Sequence, residues 1–367
     1  MTIVQRARSV WRHASAAHDL RRRTVPRLSV GPAAGAPTVY YLVPDEPAPH
    51  GGVRVAYRHV DELNRMGWSA SVLHTSDSRA RWFANSTRVT SSAAARLSSE
   101  DVLVVPEWYG PSLASIDPRL RVLVFNQGAY ITFGGIDPAT ATAGAPYAGL
   151  PNLLGLMTVS QDSAELLRLA FPRLRVDVAR PVVDPRLFHP GDGPREVALA
   201  YTPSRRPEEL HLVLHLLRAV GVDWPLVPIS GLSEAEVAET LRRVPLYLSL
   251  SERDGFGLPP AEAMACGAYV VGYHGGGGKE FFDPSYCSPV TDTAELVETV
   301  RSLVSRPLPE LAELGARASE AILARYDAAG LQADLRAVYE PLLPRATAPR
   351  HVQPAAPVPS PNGGSRA

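Results

Sequence analysis

Two carboxylates bracket a run of glycine and proline in "DGFGLPPAEAMACG", residues 254–267: Asp254 ahead of the glycines, and Glu262 eight residues later, past Pro259 and Pro260. Gly255 and Gly257 let a backbone turn tightly and come close to a ligand. The proline pair suits the first turn of a helix, where a missing N–H costs nothing. Backbone amides around Gly257 and Leu258 would then project from a helix N-terminus, a place suited to a phosphate. Asp254 can face a cleft, and Glu262, in the first helical turn, can accept hydrogen bonds from both hydroxyls of a ribose. One ligand uses all three features: a nucleoside diphosphate carrying a sugar. The same residues also suit a plain helix start whose acids complement the helix dipole, so the surrounding elements must decide.

Those elements alternate. Apolar runs at 38–44, 69–75, 101–107, 121–127 and 156–161 read as strands, with helices at 53–67 and 162–171. A Pro- and Gly-rich stretch at 182–194 interrupts the pattern. It resumes with strands at 196–202, 226–229, 246–250 and 268–273, helices at 206–220 and 233–243, and three further helices at 292–304, 308–325 and 327–340. Continuous apolar strands separated by helices predict parallel sheets covered on both faces. The expected fold is α/β: two Rossmann-like, doubly wound parallel-sheet domains facing across a cleft. The expected division is a basic amphipathic arm (1–36), an acceptor-side domain (37–183), a linker (184–194), a nucleotide-sugar domain (195–326), a helix crossing back to the first domain (327–340) and a Pro-rich disordered tail (341–367). Ligands of such sheets bind at the carboxyl ends of the strands, where residues 254–262 are expected.

A length of 367 residues agrees with two domains. Two cysteines, Cys266 and Cys287, exclude a disulfide framework and a multi-cysteine metal site. Residues 1–35 hold seven Arg against one acid, Asp19, so the remaining chain is net acidic, which argues against nucleic acid as a partner. No apolar run is long enough to span a bilayer, and no uninterrupted apolar segment opens the chain, so cytoplasm is the expected location. Ile3, Val4, Ala7, Val10, Trp11 and Ala14 recur at helical spacing opposite Arg6, Arg12 and His13. Such a helix suits peripheral contact with the inner face of a membrane, or packing on the protein's own surface.

"SERDGFGLPPAEAMACGAYVV" resembles the signature of retaining nucleotide-sugar glycosyltransferases of the GT-B fold, the family 4 type. "HGGVRVAYRHVDELNRMGWSASVL", "VSQDSAELL", "VVDPRLFHP" and "AYTPSRRPEE" follow the family's order, so the resemblance covers residues 37–340. "FNQGAYITF" and "GYHGGGGKEFF" look like the rhamnosyltransferase-like subgroup. The resemblance implies transfer of a hexosyl or deoxyhexosyl group, with retention of configuration, to a hydroxyl of a glycan, a lipid-linked acceptor or a small molecule. It implies no cofactor beyond the nucleotide sugar as co-substrate and no metal; no DxD triplet is present. Glu262 would bind the ribose, Asp254 the donor sugar, Arg205 or Arg206 the diphosphate, and Gly51 and Gly52 would bring backbone amides to it.

Two departures stand out. Asp254 occupies a place where the family usually has Glu, with Glu252 close by, and the "PSRRP" region lacks the Lys that often follows it. Lys279 is the chain's single lysine and lies in "HGGGGKEFF". This loop, with Gly277 and Glu280, is expected to hold the diphosphate or sugar, because glycine amides admit an anion and a compact ammonium is not equivalent to a guanidinium. Acceptor-side candidates are Glu107, Asn126, Gln127 and Tyr130, with His50, before Gly51, ranked first and grouped with Asp254 and Glu262 as catalytic. Three rivals remain: a non-catalytic sugar-nucleotide or glycan-binding protein, a sugar-nucleotide epimerase on the same fold, and a dinucleotide-dependent oxidoreductase. The last lacks G-x-G-x-x-G after the first strand of either half.

Overall fold

The computed structural model describes residues 23–33, 35–45, 50–76, 78–150 and 152–343. The amphipathic helix expected near residues 2–18 and the tail from residue 344 onward lie outside the described residues. The first seven-stranded sheet contains β2 (Thr38–Leu42), β3 (Ser69–His74), β4 (Val89–Ser91), β6 (Val102–Pro106), β7 (Arg121–Asn126), β8 (Leu153–Thr158) and β9 (Val176–Val178). Their order is β4-β3-β2-β6-β7-β8-β9, and every pair is parallel. The second sheet has five parallel strands in the order β11-β10-β12-β13-β14: β10 (Leu199–Tyr201), β11 (Leu226–Pro228), β12 (Leu246–Asp254), β13 (Tyr269–Gly276) and β14 (Ser288–Pro289). Two Rossmann-like sheets therefore face one another, as the β-α alternation predicts.

Helices connect the strands: α1 (Gly51–Arg65), α2 (Gln161–Ala170), α3 (Pro207–Ala219), α4 (Glu234–Arg243), α5 (Leu258–Ala265), α6 (Thr293–Val304), α7 (Leu308–Arg325) and α8 (Ala328–Tyr339). Local chemistry sets several of their starts. Ser160 accepts from the Ser163 amide at α2, Ser233 and Glu236 form a reciprocal capping box at α4, and Asp327 caps α8. Helices α1 and α5 differ: neither His50 nor Gly257 provides a side-chain cap. The orphan amides of both ends therefore need another partner.

One apolar cluster runs from the first domain, through Val183 and Phe188, to Phe256, Phe281 and α8. Tyr339 of α8 meets Tyr41 of β2 through their hydroxyls at 2.9 Å, and Arg180 binds Asp334 at 2.7 Å. The last helix thus packs against the first domain. Residues 184–194 are anchored: Arg58 of α1 pairs with Asp184 at 2.7 Å, and Arg242 donates to the Leu187 carbonyl.

Two sequence expectations change. Within the supposed arm, residues 29–31 form β1 (Ser29–Gly31), paired in parallel with β5 (Arg96–Ser98). The strand expected to end at Leu250 continues to Asp254. It does so because β13 extends equally far, to Gly276, and the two stay paired across a register shift between Ser251 and Asp254. Arg253 takes φ 52° inside that bulge, so Asp254 is fixed by a bulged strand end instead of a free loop.

At the domain seam, Gly255 lies so close to Gln127 that an added Cβ would overlap the Gln127 carbonyl oxygen. The variant Gly255→Ala is therefore expected to part the domains. Small-angle scattering should show a larger radius of gyration, while far-UV circular dichroism stays unchanged.

Candidate active site in the interdomain cleft

A cavity of about 780 Å³ lies between the two sheets. The first domain contributes His50, Gly51, Gly52, Arg54, Glu107 and Gln127; the second contributes Arg205, Glu234, Asp254, Gly257, Leu258 and Glu262. The uncapped N-terminus of α1 faces that of α5: Leu258 packs 2.9 Å from where a Cβ on Gly51 would stand. Gly257, at φ 99°, makes the turn into α5 that a side chain would strain. Since Pro259 and Pro260 carry no N–H, Leu258 supplies the free amide of that first turn. Two helix N-termini thus open on one cavity, and the positive ends of both helix dipoles point toward it.

The acids are arranged around it. Asp254 is buried and pairs through Oδ1 with Arg205 at 2.7 Å, while its Oδ2 is buried with no partner among the described residues. Burial raises its pKa, and the Arg205 charge partly opposes that shift. Glu262 is buried as well, and burial likewise raises its pKa against the pull of Arg54. Arg54, on α1, reaches across the cleft and bonds both Glu262 and Glu234, the first residue of α4. Burial opposes the Arg54 charge, but the two carboxylates outweigh it and hold the guanidinium protonated.

Gln127 donates to the Gly52 carbonyl at 3.0 Å and so ties β7 to the start of α1. Glu107, at the end of β6, lies against the backbone of Gly128. Burial lifts its pKa to about 7, partly countered by the Gln127 and Gly128 amides. His50 lines this cavity and also a second, smaller one of about 120 Å³ in the first domain, as do Gly52, Glu107 and Gln127.

Six expected site residues lie elsewhere: Arg206, Lys279, Glu280, Tyr130, Asn126 and Gly277. Arg206 stacks over Tyr273 at 4.2 Å and bonds Glu209 at 2.9 Å, which turns it away from the cavity that Arg205 lines. Lys279 pairs with Asp162 of α2 at 2.6 Å, and Glu280 accepts from the Gln161 amide at 2.5 Å, so both fasten the second domain to the start of α2. Tyr130 joins the same cluster, donating to Asp162 at 2.5 Å. Asn126 is fully buried and bonded to Thr132 and Tyr147, where it shapes its own loop. The glycine loop admits protein, not an anion: a Cβ at Gly276 would overlap Tyr130, and one at Gly277 would overlap the Gly255 carbonyl. Conversely, sequence reasoning missed Arg54, Glu234 and Arg253 of the cavity wall. The sequence signal for Arg54 is its place two residues after Gly52, in the first turn of α1.

Residues 227–321 match the family described as Glycosyl transferases group 1. The chain is 26% identical over 251 residues to an α-1,6-glucosyltransferase of Actinobacillus pleuropneumoniae serotype 7, covering 65% of this chain and 72% of that protein. It is 28% identical over 165 residues to the N-acetyl-α-D-glucosaminyl L-malate synthase of Bacillus anthracis, covering 44% of this chain and 39% of that one. Among solved structures, sucrose-phosphate synthase of Thermosynechococcus elongatus is similar with a TM-score of 0.63 at 14% identity, covering 83% of this chain and 99% of that chain. HepE of Anabaena, in complex with UDP and glucose, gives 0.59 at 12% identity, covering 83% and 99%. The structural likeness establishes the shared GT-B fold. Together with the sequence matches, it supports a GT-B glycosyltransferase.

Two expectations follow. Arg54→Met leaves Glu262 and Glu234 facing each other unpaired. Breaking a fully buried pair costs ~3–5 kcal/mol. With the Arg54 and Glu234 side chains 23% and 21% exposed, a loss of about 2–3 kcal/mol is expected by urea unfolding. For Glu107, a pKa raised from 4.5 to about 7 means that folding favours the protonated form. That contribution is complete below the unfolded value and lost as pH rises through the folded one. Relative to wild type, Glu107→Gln should therefore gain stability between pH 4.5 and 7 and show a constant difference above that window.

Proposed function

We propose that the chain is a retaining, metal-independent glycosyltransferase of the family 4 type, moving a hexosyl group from a uridine diphosphate sugar to an acceptor hydroxyl. The observation that carries this reading is the facing pair of uncapped helix N-termini, α1 and α5, with Arg205 on the same cavity and the unpartnered Oδ2 of Asp254. In this reading the diphosphate lies between the helix ends, where amides and Arg205 stabilise charge on the leaving group. Glu262 takes the ribose hydroxyls, exchanging part of its contact with Arg54 for them. Asp254 takes a hydroxyl of the donor sugar through Oδ2. Uridine is chosen because HepE binds UDP and glucose, and a hexose because one sequence relative is a glucosyltransferase.

In the reaction, the acceptor oxygen bonds to the anomeric carbon on the face that the diphosphate leaves. The bond from that carbon to the phosphate oxygen breaks, and the acceptor's proton passes to the departing diphosphate. His50 and Glu107 stand where the acceptor approaches from the first domain. Leaving-group stabilisation comes from fixed amides and guanidinium, which is the basis for expecting no divalent ion in the step.

UDP should stabilise the wild-type protein in a thermal melt by about 2.7 kcal/mol at a hundredfold excess over its Kd, and Glu262→Ala should lose that response. Proton NMR of the first product formed should show the donor's anomeric configuration, with no loss of rate in EDTA. Absence of binding by UDP, GDP, ADP and dTDP alike would reject the site. An inverted product would reject retention alone.

A further inference from the structure

The smaller cavity has a composition unlike that of the main one. Tyr41, Val43, Val53, Ala56, Val104 and Phe125 line it, and all are buried core residues of β2 and the residue after it, α1, β6 and β7. The Tyr41 hydroxyl is already engaged by His59 and Tyr339 at 3.1 and 2.9 Å, so it offers nothing to the pocket. No Arg or Lys lines it, and besides the Tyr41 phenol its ionisable residues are Glu107 and His50. Both of these also line the main cavity, which places the polar side of the pocket toward the donor and the apolar side away from it.

We propose that this pocket binds the apolar body of a neutral alcohol about one six-membered ring in size, presenting its hydroxyl to Glu107 at the opening into the main cleft. The proposal rests on the transferase reading for the statement that this alcohol is the acceptor. Size supports it: the pocket measures about 120 Å³, close to the ~150 Å³ of an apolar cavity able to hold benzene. Polarity supports it too. A free sugar placed there would lose water from several hydroxyls with few partners in return, at ~1–3 kcal/mol for each unpaired group. An anionic body would meet the Glu107 carboxylate with no cation in the wall. Apolar surface also continues outward: Ile131 lines both cavities and is 59% exposed, and Phe133, two residues on, is 48% exposed. Substituents on the ring, or an apolar chain, have a path along that side.

The test uses the full chain with benzyl alcohol, observed by saturation-transfer NMR, and with UDP-glucose for turnover. Benzyl alcohol is expected to bind. Ala56→Leu, which fills the pocket from α1, should weaken that binding at least tenfold while UDP still binds. Val104→Ala, which enlarges it, should admit 2-naphthylmethanol more tightly than wild type does, so the proposal does not depend on one variant folding. No binding of benzyl alcohol overturns it, as does unchanged affinity in both variants, or transfer to free glucose in preference to any apolar alcohol. Pocket-dependent binding of benzyl alcohol without turnover of any nucleotide sugar would support the pocket assignment and sink the transferase reading. UDP binding and turnover onto free glucose, with no alcohol bound, would do the reverse.

Discussion

The cleft has its shape because glycine backbone lies close against the other domain at positions that carry no side chain. Gly255 rests on the Gln127 carbonyl, Gly276 against Tyr130 and Asp162, and Gly51 against Leu258. At Gly255 the contact is backbone against backbone, so no rotamer can yield there, and the close packing fixes the distance tightly. Everything that faces the cavity inherits that spacing. The N-terminus of α1 stands opposite that of α5, and Arg54 is brought within reach of two carboxylates on the other domain.

The charge arrangement follows from the same closure. Buried carboxylates beside an anion site would repel a phosphate if left alone. In this structure Glu262 is matched by Arg54, and Asp254 by Arg205. Each pair joins a residue near a helix end to one from another element, so the charge of each acid is matched by a cation on a different segment. The cost of burying the acids is visible in their raised pKa values, and Oδ2 of Asp254 has no partner among the described residues.

Much of the fold was legible in the sequence. The apolar runs from β2 to β8 and the capped helix starts are local signals, carried by periodicity and by Ser160, Ser233 and Asp327. Short edge strands such as β4 and β9 were not legible, because three residues have too little pattern to register. The candidate site was legible where one segment holds it: the turn at Gly257 between two acids was read from 254–262, although Asp254 stands on a bulged strand end instead of a loop and Glu262 is the fifth residue of α5, past the first turn where it was expected. Contacts between distant segments were not. Arg54 and Glu262 are 208 positions apart, and nothing local says that they meet. The same gap explains the misplaced residues. Lys279 and the glycines around it do mark a close approach, but the approaching group is the other domain and not a phosphate. Arg205 and Arg206 are neighbours in sequence, yet the left-handed backbone at Arg206, φ 40°, sends the second guanidinium to Tyr273.

Lys279 has one more consequence. Every other basic side chain is Arg, which keeps its charge under all ordinary conditions. Lys279 is 58% exposed yet holds Asp162 across the seam. It is therefore the one side chain in the protein whose positive charge acylation can erase, and that charge sits where the halves are fastened. A chain otherwise without lysine carries its single acylable side-chain amine on the clasp.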